Sequence, residues 1–285
     1  MLRPAVGLCI LLAVVLGPAP VPAQRDEAPG AEPAGPGAVV TLDALPLPIP
    51  TTALPGPARA HVEAVLARAV FAQQVTGIRF PSQEPVYRFL LDHPDFAASV
   101  VRALRLGEYR LTPREDGYGG DDARGATGVI RVLYADDHRR LFHLDGRYER
   151  RWWPTIEGQI LVLLEFHHER DEAGLSMVEQ TLTAHVRLDG PVANTVAQVL
   201  QLLSRPAVER AVERKVHRFF RTVARVSAWA SDHPEEFVAA LDGHPEVAPG
   251  PTLAAFRTLL LADRPPTWAR APFRLTDDTP EGDGP

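Results

Sequence analysis

The sequence predicts an α+β protein in which a curved antiparallel sheet wraps on a long C-terminal helix, with extra helices at both ends. Three observations predict it. The chain's middle opens on apolar residues at helical spacing, continues through alternating segments separated by turn-formers, and closes on an unbroken apolar stripe at steps of four and three. Taken in order, Val62, Val65, Leu66, Ala69 and Val70 recur at helical intervals, which predicts a helix over residues 58–75. Phe96, Val100 and Leu104 repeat the pattern after Pro94. Residues 107–113, 128–135, 139–148, 158–168 and 175–188 then read as strands, close enough in sequence to pair as antiparallel neighbours.

Strand faces follow from where the charges fall. Ile130, Val132 and Tyr134 oppose Arg131; Ile160, Val162, Leu164 and Phe166 oppose Glu165 and His167; and Val178, Leu182, Ala184 and Val186 oppose Glu179, Thr181, His185 and Arg187. Gln180 is left as the one polar residue on that strand's inner face. Asp189-Gly190-Pro191 ends the last strand, and Pro206 suits the first turn of a long helix to Ala230. Its stripe of Val208, Val212, Val216, Phe219, Val223 and Val226 has to lie on something apolar.

The ends of the chain read differently. Arg3, an apolar run over residues 6–16 and Val21-Pro22-Ala23 compose a secretory signal peptide, residues 1–23, with cleavage after Ala23. The run is about half the length that crosses a bilayer core, which disfavours an uncleaved anchor. Cys9, the single cysteine, lies inside this leader, so the mature chain is expected to lack disulfides and thiol chemistry in a periplasmic or extracellular compartment. Losing Arg3 moves the net charge from -6 to -7, and that acidity argues against nucleic acid as a partner. Residues 24–57 form a Pro- and Ala-rich linker, 231–275 a C-terminal helical extension and 276–285 an acidic disordered tail.

Helices first, a run of antiparallel strands, then a long amphipathic helix is the order of the helix-grip fold. Val86-Tyr87-Arg88-Phe89-Leu90-Leu91-Asp92-His93-Pro94, residues 125–134, residues 158–166 and the approach to Arg205-Pro206-Ala207-Val208 resemble the START-like superfamily, which includes polyketide cyclases and lipid-transport proteins. The resemblance covers residues 85–230 within a domain spanning 58–230. It implies a cavity between sheet and last helix that holds a lipid or other hydrophobic small molecule. Carried onto this chain, the implied lining is Ile130, Val132, Tyr134, Val162, Leu164, Phe166, Gln180 and Leu182 on the sheet, with Val216, Phe219, Phe220 and Val223 on the helix. A filled core without ligand, serving a structural or interaction role, is the alternative for the same stripes. A cyclase- or hydrolase-type enzyme on the same fold is another, so fold alone leaves enzymatic activity open.

No Gly-x-Ser-x-Gly elbow, phosphate-cradling glycine loop or His-Glu-x-x-His motif occurs, so no catalytic residue, cofactor or metal is assigned. His167 and His168 would point to opposite faces of a strand and cannot readily share one ion. Asp92-His93-Pro94-Asp95, Asp232-His233-Pro234-Glu235 and Gly243-His244-Pro245-Glu246 read as helix starts, since proline and an acid suit the first turn. The aspartates of residues 116–125 lie in glycine-rich sequence typical of a hairpin connection and lack calcium-loop spacing. Trp152 and Trp153, flanked by Arg147, Arg150 and Arg151, have the composition of a peripheral membrane contact; the alternative places one tryptophan in the core and one over a strand edge.

Overall fold

Helix α1 (Gly56–Leu66) carries Pro57 in its first turn and buries Ala58, Val62 and Val65 along one stripe. The computed structural model describes residues 47, 49, 54–151, 153–172, 174–189 and 226–262. The helix stops at Leu66 instead of running on to Val75, and β1 (Phe71–Pro81) follows, paired antiparallel with β7 (Ser176–Asp189). Helical spacing in this segment yields to sheet pairing. A register shift between Val75 and Ile78, with Gly77 at φ 70°, lets Phe71, Val75, Ile78 and Phe80 all enter the core.

Helices α2 (Glu84–Asp92) and α3 (Pro94–Ala103) come next. A meander of β2 (Arg110–Arg114), β3 (Gly117–Asp121), β4 (Ala126–Ala135), β5 (Arg139–Arg150), β6 (Trp153–Arg170) and β7 completes the sheet. The seven strands lie in the order β1-β7-β6-β5-β4-β3-β2, and every pairing is antiparallel. This is an α+β protein built on one open, curved antiparallel sheet.

The segment expected to be a plain hairpin connection contains a strand. β3 is made largely of glycine, so backbone pairing and the single packed side chain of Tyr118 hold it between β2 and β4. Gly120, Gly128, Gly146 and Gly158 stand directly opposite one another in a row across β3 to β6. A Cβ on Gly128 would lie 2.5 Å from the Asp145 carbonyl oxygen, and one on Gly146 2.6 Å from that of Thr127. The row allows adjacent strands an approach that no other residue permits.

The sheet is covered on both faces, where the charge pattern predicts cover on one. On the inner face, Ile130, Leu144, Ile160, Val162, Leu164, Phe166 and Leu182 join α2 and α3 in a single core. On the outer face, Leu141, Leu161 and Leu163 are fully buried under α1 with Ile49 and Leu54 from the Pro-rich segment, against which Leu47 packs half-buried. The five-residue run Ile160 to Leu164 carries the signature of a strand buried on both sides.

Residues 226–232 are helical (α4), with Val226 and Ala230 in the inner core; the rest of the helix predicted to start at Pro206 lies outside the described residues. Helices α5 (Pro234–Leu241) and α6 (Pro251–Ala262) add Phe237 and Phe256 to that core. His93 and His233 each cap a helix whose first residue is proline, as the sequence pattern predicts. His244 opens a turn instead. There Val247 N–H donates to the His244 carbonyl, and Pro249 and Pro251 prevent the turn from propagating.

His143 is the costly group under α1. It is fully buried on the outer face of β5, and its ring stacks on His61 at 4.7 Å. Burial first, then the neighbouring His61, push its pKa down to about 4. The unfolded ring takes a proton near its ordinary value, so stability is fully present above that value and is lost as pH falls toward about 4. Urea denaturation should therefore show a loss of roughly 3 kcal/mol across this interval. His143→Phe should remove that component of the pH dependence, and an unchanged slope would refute the assignment.

Candidate functional site

Where β6 and β7 end beside α2, the inner face changes from apolar to polar. Phe166 and Gln180 are opposite partners in the β6/β7 register, and His168 follows Phe166 on the same face. Helix α2 reaches over them because Gln83 is extended and Pro85 lies in the first turn, which starts the helix beside the end of β1. Val86, Tyr87, Leu90 and Leu91 form its buried stripe. Tyr87 is thereby driven into the wall, packing edge-on against Phe166 at 5.2 Å, His168 at 5.7 Å and Phe80 at 5.9 Å.

The Tyr87 hydroxyl donates to Gln180 Oε1 at 2.6 Å. Gln180 is 1% exposed, and its Nε2 has no hydrogen-bond partner among the described residues. Both ring nitrogens of His168 are likewise buried without a partner among them. Burial holds the His168 pKa below its ordinary value, so the ring is neutral at pH 7, with one N–H and one lone pair. Polar groups left in this condition each cost on the order of 1–3 kcal/mol.

A groove of about 700 Å³ opens beside His168. Its walls come from the end of β1 and the start of α2 (Pro81, Gln83, Glu84, Pro85), the β6–β7 hairpin (Glu169, Arg170, Gly174, Leu175, Ser176) and α4 (Ala228, Ser231, Asp232). Leu175 at the hairpin is 52% exposed. Glu84 lines the same groove, but its carboxylate pairs with Arg88 at 2.7 Å. A second groove, about 720 Å³, lies over the glycine row and is lined by exposed side chains of both charges, among them Arg110, Arg147, Asp145 and Glu157.

The sequence-derived lining divides. Ile130, Val162, Leu164, Phe166, Gln180 and Leu182 are all buried on the inner face. Val132 is 43% exposed, because β3 reaches only Gly117 and leaves β4 uncovered beyond Ile130. Tyr134 is on the opposite face. An irregularity between Val132 and Tyr134 reverses the alternation, so Tyr134 pairs with Leu141 and packs with the outer cluster, and its hydroxyl donates to Asp136 at 2.8 Å. Val216, Phe219, Phe220, Val223 and Trp152 lie outside the described residues, as does the side chain of Trp153, the first residue of β6. His167 and His168 do take opposite faces: His167 faces Glu179 at 3.6 Å and is mostly exposed. No group of three metal-ligating side chains occurs among the described residues.

Tyr87 is the site residue that sequence reasoning missed. Its spacing from Leu90 and Leu91 marks it as buried, but nothing local says that its hydroxyl meets a glutamine far along the chain.

The fold and the site together define an α+β protein with an apolar inner sheet face ending in an incompletely satisfied polar cluster. No protein-family profile matches the chain, and no curated protein does. Among solved structures, a conserved protein from Geobacillus kaustophilus is similar over 52% of this chain and 96% of its own, at 13% identity and a TM-score of 0.31. Ara h 8.0201 is similar over 51% and 95%, at 15% identity and a TM-score of 0.25. A protein from Rhizobium leguminosarum is similar over 53% and 97%, at 16% identity and a TM-score of 0.24.

Tyr87→Phe keeps the ring packing and removes the hydroxyl. With Gln180 Oε1 then also unpaired, the variant should lose about 1–3 kcal/mol in urea denaturation. A loss within error of zero would mean that the hydrogen bond is not formed in solution.

Proposed function

We propose that this chain is an exported binding or transfer protein for a lipid or other hydrophobic small molecule, held by a helix-grip fold with its polar end toward His168 and Gln180. The observation that carries the reading is the two buried His168 nitrogens, without a partner among the described residues, in the wall of a groove of about 700 Å³, with the likewise unpartnered Gln180 Nε2 behind them across Tyr87. Buried polar groups are nearly always satisfied, and a ligand is one way to satisfy these. The groove's size lies within the usual range for small-molecule sites, roughly 300–1,000 Å³. In this reading Ile130, Val162, Leu164, Phe166 and Leu182 belong to the apolar wall, and Val216, Phe219, Phe220 and Val223 supply the facing one. Trp152 and Trp153 are proposed to meet the membrane from which a ligand is taken.

A catalytic reading has one observation in its favour, since Glu84 and His168 line the same groove. An acid–base pair needs them within hydrogen-bond reach, and Glu84 is held by Arg88 instead. Binding requires no such pair.

Organic extraction of the protein purified from its own host should yield a lipid-like molecule in near one-to-one amount. Ala228→Trp, which fills the groove from its partly exposed α4 wall, should remain folded and carry less than about a tenth as much. A wild-type protein that yields no such molecule and does not bind Nile red would end the reading. Export is part of the same proposal, motivated by the leader-like residues 1–23. Mass spectrometry of the periplasmic or secreted protein should find Gln24 as the first residue, and retention of the leader would favour a membrane anchor.

A further inference from the structure

Resting on the binding reading above, we propose that the ligand carries an uncharged oxygen head, a hydroxyl or a carbonyl, and that Gln180 is the residue that reads it. The first reason is the donor set. With Oε1 occupied by the Tyr87 hydroxyl, Gln180 presents only its N–H groups, so it calls for an acceptor. His168 adds one donor and one acceptor as a neutral imidazole, and a hydroxyl can answer both roles where a carboxylate can only accept.

The second reason is that the arginines packed against the buried end of this cluster are already committed, which leaves only Arg170, at the exposed hairpin rim and bonded to the Gly174 carbonyl at 3.2 Å, among the described cations of the groove wall. Arg88 is paired with Glu84 and with Asp137, each at 2.7 Å. Arg140, whose guanidinium lies 5.7 Å from the Phe166 ring centre, is bonded to Asp92 at 3.0 Å and to the backbone carbonyls of Asp136 and Arg139. Around Gln180 the sheet neighbours Ile78, Phe80, Phe166, Val178 and Leu182 are all buried and apolar, and the charged side chains Glu84, Glu169 and Arg170 lie in the groove wall on the His168 side. A carboxylate or phosphate placed here would be an unpaired charge in a desolvated wall, which is far more costly than burying a neutral oxygen that receives a hydrogen bond.

The test uses the purified full chain with Nile red as a neutral reporter, displaced in parallel by 1-dodecanol, dodecane and dodecanoate at a pH where the acid is ionised. Dodecanol should displace the dye at about a tenfold lower concentration than either of the others, the size expected for one hydrogen bond to a buried donor. Gln180→Met, of similar volume and without a donor, should bring dodecanol to the level of dodecane when each competitor is measured against that variant's own Nile red affinity. Dodecanoate competing as well as dodecanol would overturn the proposal and leave the binding reading standing, as would a folded Gln180→Met protein that keeps the alcohol preference. A chain that binds no Nile red would sink both. Should Gln180→Met fail to fold, the wild-type comparison of alcohol with acid still decides, and His168→Phe provides the second variant, with a smaller alcohol preference expected.

Discussion

Strand β6 must be buried on both faces, and the rest of the architecture follows from that constraint. Its residues Ile160 to Leu164 are all apolar and all fully buried. A strand with one wet face would leave Leu161 and Leu163 in water, so something has to cover the outer side. Helix α1 and the short Pro-rich approach carrying Ile49 and Leu54 do this, while α2, α3, α4 and the C-terminal helices cover the inner side. Long antiparallel ladders to β5 and β7 fix which side chains meet which cover.

That two-sided arrangement divides the polar residues of the sheet into two situations. On the outer side His143 is sealed under α1 and kept neutral by burial, at a cost to stability that grows in acid. On the inner side Gln180 is as deeply buried, and His168, half-buried beside it, lines a groove. The same chemistry is closed off under a helix in one place and stands at the side of a groove in the other. What separates them is access.

The meander and the inner face of β6 and β7 were legible because charges at alternate positions mark a face without ambiguity. The Gln180 position followed from the same argument. What could not be read locally was whatever depended on a partner distant in sequence. Residues 71–75 are read as the end of a helix and instead open strand β1 because β7 offers an edge. Tyr134 was placed inward by counting in twos, and a single irregularity in β4 reverses the count. β3 has almost no side chains to carry a pattern, so its pairing is mainly a property of the backbone. Gln180 was legible as an inward polar residue, whereas its partner Tyr87 was not, because a helix periodicity reports burial and never the identity of the neighbour.

The aromatic contacts of α6 connect distant segments of the chain in time as well as in space. Phe256 packs 5.9 Å from Phe89 and 5.1 Å from Phe96, so a helix made late closes a core whose other wall was made much earlier. While the ribosome is still extending the chain, Phe89 and Phe96 lack this cover, and the nascent protein has no complete core to collapse onto. Contacts between such distant segments form late and slowly. Synthesis thus leaves a window in which the polypeptide is still loose, and only the release of its final third shuts that window.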